Sequence, residues 1–364
     1  MTHNHTQIES AQVGIYGGVD THLDFHVAAA VNALGALLGT AVFATTVQGY
    51  AELLAWLRAW GPLAQVGVEG TGSYGAGLAR HLHRHDVEVL EINRPDRASR
   101  RRRGKTDAYD AEAAARTALA GHARAAKINT GAVESLRMLK LQRDSAVKQR
   151  TATLNQMHQL RVTAPQELRE QLTGLTKHTL ATHCVRFRVT RDTNRLTDPV
   201  QAAKKALHGL ARRVLALTAE ITELDADIAA LTRAIAPATS AAAGVGAQTV
   251  AQLLIAIGEQ PERFHSEAGF AALCGTSPIP ASSGKTQRHR LNRGGNRQAN
   301  SALHMATLNR LCHHPPTRAY IAARTTDAKS DPHLRRKLKR YLARELFTLL
   351  RQDLRALNTP DIAA

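Results

Sequence analysis

Four carboxylates stand at three separate places where an apolar segment ends or a helix begins, namely Asp20, Glu69, Asp107 and Asp110. Asp107 and Asp110 open a helical stretch, and a spacing of three puts both side chains on one helix face. Gathered in one place, four carboxylates would repel each other and raise their own pKa values unless a cation neutralised them. The chain has a formal net charge of +18. Hard divalent metal ions bound beside a polyanion therefore explain these acids best.

The elements that would position these acids belong to a predicted N-terminal α/β domain. The apolar pattern predicts strands at 13–19, 25–32, 36–44, 64–69 and 87–92, and helices at 49–60, 75–84 and 107–119. Three consecutive strands followed by alternating helices and strands is the order of a ribonuclease H-like domain. In that order the first and fourth strands are neighbours. We therefore expect Asp20 and Glu69 to lie side by side, with the Asp107 helix packed across them.

The rest of the chain is predicted to be helical. From Leu207 to Ile235, apolar residues recur at alternating steps of three and four, which is the a/d seam of a coiled coil. An earlier amphipathic helix at 133–161 could pair with it within one chain or between chains, and the segment 163–199 has no clean period. The predicted boundaries are a flexible start at 1–12, a ribonuclease H-like domain at 13–125, a helical coiled-coil region at 126–236, a C-terminal domain at 237–350 and a tail at 351–364.

The positive charge lies in two blocks. Residues 94–105 hold seven Lys or Arg and one acid, and residues 285–344 hold 15 Lys or Arg and two acids. Two separate basic blocks favour a nucleic acid as partner. Three widely spaced cysteines indicate reduced thiols. With no signal-peptide or membrane-span pattern, we expect a cytoplasmic protein that associates with the nucleoid when bound to DNA, and no membrane partner.

Two glycine-rich segments admit other interpretations. Residues 70–75 fit the G-x-G-x-x-G pattern, and Glu91 follows at the spacing of a dinucleotide-binding acid. However, an arginine block follows where that fold needs another βα unit, so the glycines more plausibly turn the chain after Glu69 and keep the site open. Residues 244–254 resemble the hairpin of a helix-hairpin-helix, which binds DNA phosphate. A plain tight turn before a buried helix is an equal alternative.

Ser282 and Ser283 lie in a loop framed by proline and glycine, directly before a run of basic residues. A serine hydroxyl is a poor nucleophile unless a base, a cation or a metal activates it. Beside arginines that hold a phosphate with two hydrogen bonds, it could attack a phosphodiester. The spacing alone favours ordinary loop composition.

A resemblance changes this assessment. The segments 19–21, 68–74 and 105–111 look like the N-terminal DEDD domain of the insertion-sequence transposases of the IS110 family, which is of the RuvC type. Residues 244–246, 263–264, 270–275, 278, 283–284 and 295–296 are similar to the C-terminal transposase domain of that family. The matches run in order over most of the chain, with the coiled coil between the two domains as in the family.

The resemblance implies roles for particular residues. Two Mg²⁺ ions, for which Mn²⁺ can substitute, would be bound by Asp20, Glu69, Asp107 and Asp110. Ser283 would be the nucleophile that forms a phosphoserine link to DNA, with Ser282 as the alternative. The resemblance also implies a homo-oligomer, either a dimer or a tetramer. Its substrate would be DNA at the ends of the element and at the target site, and a structured RNA that the element encodes would guide it. The residues expected to hold nucleic acid are Arg94, Arg97, Arg100, Arg101, Arg102, Arg103, Lys105, Lys285, Arg288, Arg290, Arg293 and Arg297.

The sequence thus predicts a DNA transposase or site-specific recombinase that uses a magnesium-dependent DEDD site and a serine nucleophile. Two alternatives remain open at this point. One is a RuvC-like nuclease, such as a junction resolvase, which uses water as the nucleophile and forms no covalent adduct. The other is a non-catalytic coiled-coil protein that binds nucleic acid independently of metal. Low aromatic content, 4%, disfavours base stacking as the main binding mode.

Overall fold

The computed structural model describes residues 14–92, 106–121, 123–127, 130–260, 262, 264–286, 289–325 and 331–358. The chain divides into two compact units, and each is considered by itself. Unit 1 comprises Met1–Gly131 and Ile257–His265, and unit 2 comprises Ala132–Ala256 and Ser266–Ala364.

A six-stranded mixed sheet forms the centre of unit 1. Its strands are β1 Ile15–Thr21, β2 Phe25–Val31, β3 Leu37–Ala44, β4 Leu63–Glu69, β5 Glu88–Ile92 and β6 Arg124–Ala125. Their order across the sheet is β3-β2-β1-β4-β5-β6. Strands β1, β2 and β3 pair antiparallel as two consecutive hairpins, whereas β4 runs parallel to both β1 and β5. The predicted adjacency of the first and fourth strands is therefore confirmed.

Within the described residues of unit 1, three helices accompany this sheet, namely α1 Val47–Ala59, α2 Ala76–Arg84 and α3 Asp107–Leu119. Helix α3 packs on β1, β2 and β4, and it does so at unusually close range. A Cβ atom on Gly18 would lie 2.1 Å from the backbone oxygen of Ala111, and one on Gly67 would lie 2.8 Å from that of Ala114. Glycines in the strands and alanines on the helix thus let the two backbones meet, which holds α3 close against the sheet.

This arrangement agrees with the predicted class. A mixed sheet with helices, followed by a helical region, is compatible with a ribonuclease H-like domain. The antiparallel β1-β2-β3 meander differs from the parallel half-sheets of a dinucleotide-binding fold, so the glycine pattern at 70–75 does not mark such a fold. Strand β6 was not predicted, because two residues are too short to show alternation.

Unit 2 is mainly helical. Its long helices are α4 Ala132–Thr163, α7 Pro199–Ile235, α11 Arg297–His313 and α13 Asp331–Asn358, and its shorter ones are α5 Gln166–Gln171, α6 Lys177–Cys184, α8 Pro237–Ser240, α9 Ala247–Ile257, α10 Glu267–Leu273 and α12 Pro315–Thr325. Helix α9 ends at the junction with unit 1. None of the helices in the described part of the chain is both long and apolar enough to cross a bilayer.

Helices α4 and α7 pack against each other within the chain. Arg143 Nε lies 2.7 Å from an oxygen of Asp225, and Ala146 shares an apolar cluster with Leu217 and Ile221. Later α4 residues meet earlier α7 residues, so the two helices are antiparallel. Most of the predicted a/d positions of α7 are buried. The sequence left pairing within or between chains open, and these contacts lie within one chain.

Two short α-helices and one turn of 3₁₀ helix, Arg195–Thr197, occupy the segment 163–199, for which the sequence showed no period. Leu168 of α5, Leu172 directly after it and Leu180 of α6 are fully buried with Met157 and Leu207 of the long helices. Burial at the same site raises the pKa of the Cys184 thiol to about 11. Each helix turns only one apolar edge to the long pair, and six to eight residues are too few to show a period.

The final helix corrects one predicted boundary. Residues 351–358, expected in a tail, continue α13, and Leu354 is fully buried. Asp353 is also buried, and its carboxylate accepts hydrogen bonds from Ala238 N, Thr239 N and Thr239 Oγ1 at 3.1, 2.8 and 2.7 Å. This carboxylate caps the start of α8 from a distant part of the sequence, so the end of α13 is part of the fold.

Candidate functional site

Asp20 and Glu69 lie at the ends of neighbouring parallel strands. The register pairs Gly18 with Gly67 and Val19 with Val68, so the acids that follow meet at the same edge of the sheet. The Thr21 hydroxyl donates a hydrogen bond of 2.9 Å to the Glu69 carbonyl, which ties the two strand ends together. The side chain of Asp20 is largely buried. The predicted proximity of these two acids is therefore present in the structure.

The other two acids lie in the first turn of α3. Thr106 precedes the helix in an extended conformation, and its hydroxyl accepts a hydrogen bond of 3.3 Å from Tyr109 N. This N-cap starts the helix so that Asp107 and Asp110 occupy its positive end, which stabilises negative charge. Asp110 is buried against the sheet, whereas the Asp107 side chain is 40% exposed. Both acids thus lie on the helix face that is turned toward the sheet, with Asp110 buried and Asp107 at the solvent-exposed rim.

His22 joins this group, and the sequence analysis missed it. Its Nε2 atom lies 3.3 Å from Oδ2 of Asp20 and 3.4 Å from Oδ2 of Asp107. Ligand atoms of these three residues all lie within 4.8 Å of one another, close enough to share one metal ion. A signal was available in the sequence, since Asp-x-His at a strand end puts both side chains on one face of the strand.

The electrostatics of the site follow from this crowding. Burial raises the pKa of Asp20, and the carboxylates of Glu69, Asp110 and Asp107 raise it further, while His22 acts in the opposite direction. The four predicted acids are therefore close enough to act on one another. Charge repulsion of this kind is relieved when a cation binds between the carboxylates, so the donor set fits a divalent metal.

The chain turns sharply after Glu69. Gly70 has a φ of +66°, and its carbonyl accepts hydrogen bonds from Ser73 N and Gly75 N at 2.8 and 3.1 Å. A Cβ atom on Gly72 would meet no other atom within 4 Å. The sharp turn that the sequence predicted for these glycines is therefore present.

The two candidate serines lie in an exposed β-hairpin of unit 2. Strands β7 Ile279–Pro280 and β8 His289–Arg290 pair antiparallel, and Ser283 and Thr286 exchange backbone hydrogen bonds of 3.1 and 3.0 Å. Gly284, with a φ of +52°, forms the tight turn between them. Ser282 and Ser283 are both exposed, so either hydroxyl is accessible to a large substrate.

Contacts of Asn296 join the end of α10 to the start of α11, shortly after the hairpin in the chain. The Asn296 side chain caps α11 by accepting hydrogen bonds from Gln298 N and Ala299 N, both 3.0 Å. The backbone N–H of Asn296 donates a hydrogen bond of 2.6 Å to Leu273 O. Gly295 has a φ of +82°, and a Cβ there would lie 2.5 Å from the same carbonyl. The Gly-Asn pair thus sets the start of α11 directly against the end of α10.

The structure describes some, but not all, of the basic residues that are expected to hold nucleic acid. Arg290 and Arg293 line an open cleft of about 500 Å³ with Ile279, beside the hairpin. Lys285 and Arg297 are exposed near it in sequence. Arg288 and the whole N-terminal set lie outside the described residues, and that set consists of Arg94, Arg97, Arg100, Arg101, Arg102, Arg103 and Lys105.

The glycine turn before α9 is filled by a neighbouring side chain. Gly244 has a φ of +73°, and a Cβ there would lie 2.7 Å from Cγ of Arg310. The Arg310 Nε donates a hydrogen bond of 2.7 Å to Ala243 O. Helix α9 is itself mostly buried. This packing favours the tight-turn alternative over a phosphate-binding hairpin at this position.

Comparison with known proteins matches both parts of the chain. A family model of the IS110 DEDD transposase, described as "Transposase", matches residues 17–163, and one described as "Transposase IS116/IS110/IS902 family" matches residues 240–322. The "Insertion element IS110 uncharacterized 43.6 kDa protein" of Streptomyces coelicolor is 30% identical over 145 residues. That match covers 39% of this chain and 36% of the relative, so it spans little more than a third of either protein. The chain belongs to the IS110 family of insertion-sequence transposases.

Proposed function

We propose that the chain is the DNA transposase of an insertion sequence, which cuts and rejoins DNA strands at a metal site in unit 1 with a serine of unit 2. The observation that carries this proposal is the convergence of Asp20, Glu69, Asp107 and Asp110 at one edge of the sheet. Membership of a transposase family supports the same function.

The four carboxylates would hold the divalent ion or ions, with Mg²⁺ as the proposed metal. Carboxylate oxygens are the donors that Mg²⁺ prefers, and repulsion around the buried Asp20 would be relieved by such a charge. A bound metal polarises the scissile phosphate and stabilises the charge that develops on it. Asp110 and Asp20, being buried, would orient the ion, while the exposed Asp107 would face the substrate.

Ser283 is the proposed nucleophile. Its Oγ would attack the scissile phosphorus, lose its proton and form an O–P bond as the bond from phosphorus to the leaving strand oxygen breaks. The proton would pass through solvent to the leaving oxygen, which becomes a strand hydroxyl. A hydroxyl of the partner DNA would then attack the phosphoserine and release Ser283. The exposed hairpin supports this role because it presents the hydroxyl on a tight, hydrogen-bonded turn.

Arginines beside the hairpin would hold the DNA backbone. Arg290 and Arg293 are suited to hold phosphate, because a guanidinium donates two parallel hydrogen bonds to one anion. The dipole of α11 adds positive potential at the amino end of this helix, where Arg297 lies. By family resemblance, the protein would also bind a guide RNA that the element encodes. It would act as a homo-oligomer in which unit 1 of one subunit meets the serine hairpin of another. Its proposed location is the cytoplasm.

Metal binding and DNA cleavage should be lost together when Asp107 is changed. In the Asp107→Asn variant we expect weak Mn²⁺ binding by calorimetry and no cleavage of element-junction DNA in Mg²⁺, with DNA binding retained. The matched control is Asp24→Asn, which removes an exposed carboxylate of the same unit. Wild-type Mn²⁺ affinity in Asp107→Asn, or an equal loss of DNA binding, would overturn the proposed role.

A further inference from the structure

A small cavity on the C-terminal helices of unit 2 has the chemistry of a base-stacking site. It measures about 190 Å³ and lies among α11, α12 and α13. This volume is below the ~300–1,000 Å³ usual for whole ligands, so it suits one planar ring system. Leu338 and Leu342 line its apolar part, and Tyr320 and Tyr341 line it as well.

The two tyrosines present ring faces in a fixed geometry. Their centroids lie 6.0 Å apart and the rings are perpendicular, at 88°. The guanidinium of Arg324 lies over the Tyr320 ring, 4.0 Å from its centroid. This cation therefore holds Tyr320 on one side. Tyr341 is 54% exposed, so ring surface is available to an incoming group.

The cavity lies mostly within the strongly basic segment 285–344, which holds 15 Lys or Arg and two acids. One acidic residue, Glu345, is found among the described residues that line the cavity. Both of its carboxylate oxygens accept hydrogen bonds of 2.7 Å from Arg310. That pairing lowers the pKa of Glu345 and keeps it ionised, with the Arg310 cation balancing its negative charge. Arg318, Arg336 and Arg344 are exposed on the same two helices, α12 and α13. An anionic ligand that carries a planar aromatic ring fits this environment better than an acidic protein surface does. Such a ring can stack on the exposed face of Tyr341, whereas acidic side chains cannot.

We propose that Tyr341, with Tyr320 and Arg324, stacks an unpaired nucleobase of a single-stranded nucleic acid. Every base has a π-face, so stacking on tyrosine works without sequence preference. A base pair within a duplex has no free face to offer, so the site selects unpaired bases. The inference rests on the nucleic-acid partner of the proposed function and adds a contact that neither the metal site nor the serine provides.

The test uses the full chain and short single-stranded oligonucleotides carrying 2-aminopurine, whose fluorescence falls when the base stacks. One oligonucleotide is DNA and the other is RNA, and both are titrated in EDTA. We expect wild type and Tyr341→Phe to quench the probe, because both retain the ring. Tyr341→Leu should bind about tenfold more weakly and lose the quenching. With a 5′-fluorescein label read by anisotropy, an abasic site at the probe position should weaken wild-type binding to the level of Tyr341→Leu.

A second variant guards against misfolding. Arg324→Gln removes the guanidinium from Tyr320 without altering the core and should reduce affinity several-fold. Quenching of DNA, RNA or both supports the site and identifies its strand type. Unchanged quenching and affinity in Tyr341→Leu and Arg324→Gln would overturn it. So would a change in sedimentation on mutating Tyr341 with quenching intact, since the cavity would then be a protein contact. The assay contains no metal and measures no cleavage, so it can fail while the proposed function holds, and the reverse.

Discussion

The Nε2 atom of His22 lies 3.4 Å from Oδ2 of Asp107, and this contact brings the end of the first strand to the start of helix α3. The same nitrogen lies 3.3 Å from Asp20. The site is therefore not built of carboxylates alone. An imidazole nitrogen suits Mn²⁺ and other transition metals, whereas Mg²⁺ strongly prefers oxygen ligands.

Removal of this imidazole should change the metal preference of the site. We expect His22→Ala to bind Mn²⁺ about tenfold more weakly, while Mg²⁺ affinity changes less, as measured by calorimetry. The control is His83→Ala, because His83 is an exposed histidine of the same unit. An equal loss for both metals would point to a structural role for His22, and no loss for either would show that it is not a ligand.

The raised pKa of Asp20 predicts a pH-dependent stability without metal. Because the pKa of Asp20 is raised in the folded state, ionisation of this carboxyl destabilises the fold. The loss of stability begins as the pH rises above the ordinary pKa of 3.8 and is complete once the pH exceeds the raised pKa. In EDTA, Asp20→Asn should therefore be more stable than wild type at pH 7 and equal to it below about pH 3.8. We expect a gain of at most ~1 kcal/mol, because solvent screens the open side of the site.

Urea unfolding at several pH values, followed by circular dichroism, measures this difference. Addition of Mn²⁺ should reverse the order, because a ligand that binds only the folded state stabilises the chain that binds it. Asp24→Asn should show neither effect. A stability gap for Asp20→Asn that grows as the pH falls would contradict the electrostatic account of the site.

Much of unit 1 follows from the sequence because its signals are local. Strand alternation predicts the first five strands, and the spacing of Asp107 and Asp110 predicts their shared helix face. The approach of α3 to Gly18 and Gly67 could not be predicted, because it depends on two backbones distant in sequence. His22 was missed for a related reason, since its significance comes from the position of α3. The end of α13 was missed because Asp353 caps a helix far away in the chain.

Arg290 and Arg293 should contribute phosphate contacts. Changing both to alanine should weaken DNA binding and reduce the slope of log K against log salt by about 2, because each contact releases about 0.9 counterions. The measurement is a salt series of fluorescence anisotropy. Arg191→Ala serves as control, since Arg191 is an exposed arginine in the connection before α7. An unchanged salt slope in the double variant would remove this cleft from the DNA interface.

Asp353 should be important for the stability of unit 2. In Asp353→Ala, the Thr239 N–H and hydroxyl lose their acceptor while Thr239 stays fully buried. Each buried donor without a partner costs about 1–3 kcal/mol, so a marked fall in the urea midpoint is expected. Asp227→Ala, which removes an exposed acid from α7, should have little effect. Equal midpoints for the two variants would contradict the capping role.

The most direct test of the proposed mechanism is a search for the phosphoserine intermediate. Protein, Mg²⁺, RNA transcribed beside the gene and end-labelled element-junction DNA are mixed and resolved on a denaturing gel. Ser283→Ala and Ser282→Ala are the matched variants. We predict a protein–DNA adduct that requires Mg²⁺, persists in Ser282→Ala and disappears in Ser283→Ala. Cleavage that continues in Ser283→Ala without any adduct would contradict the serine mechanism and identify a nuclease that uses water.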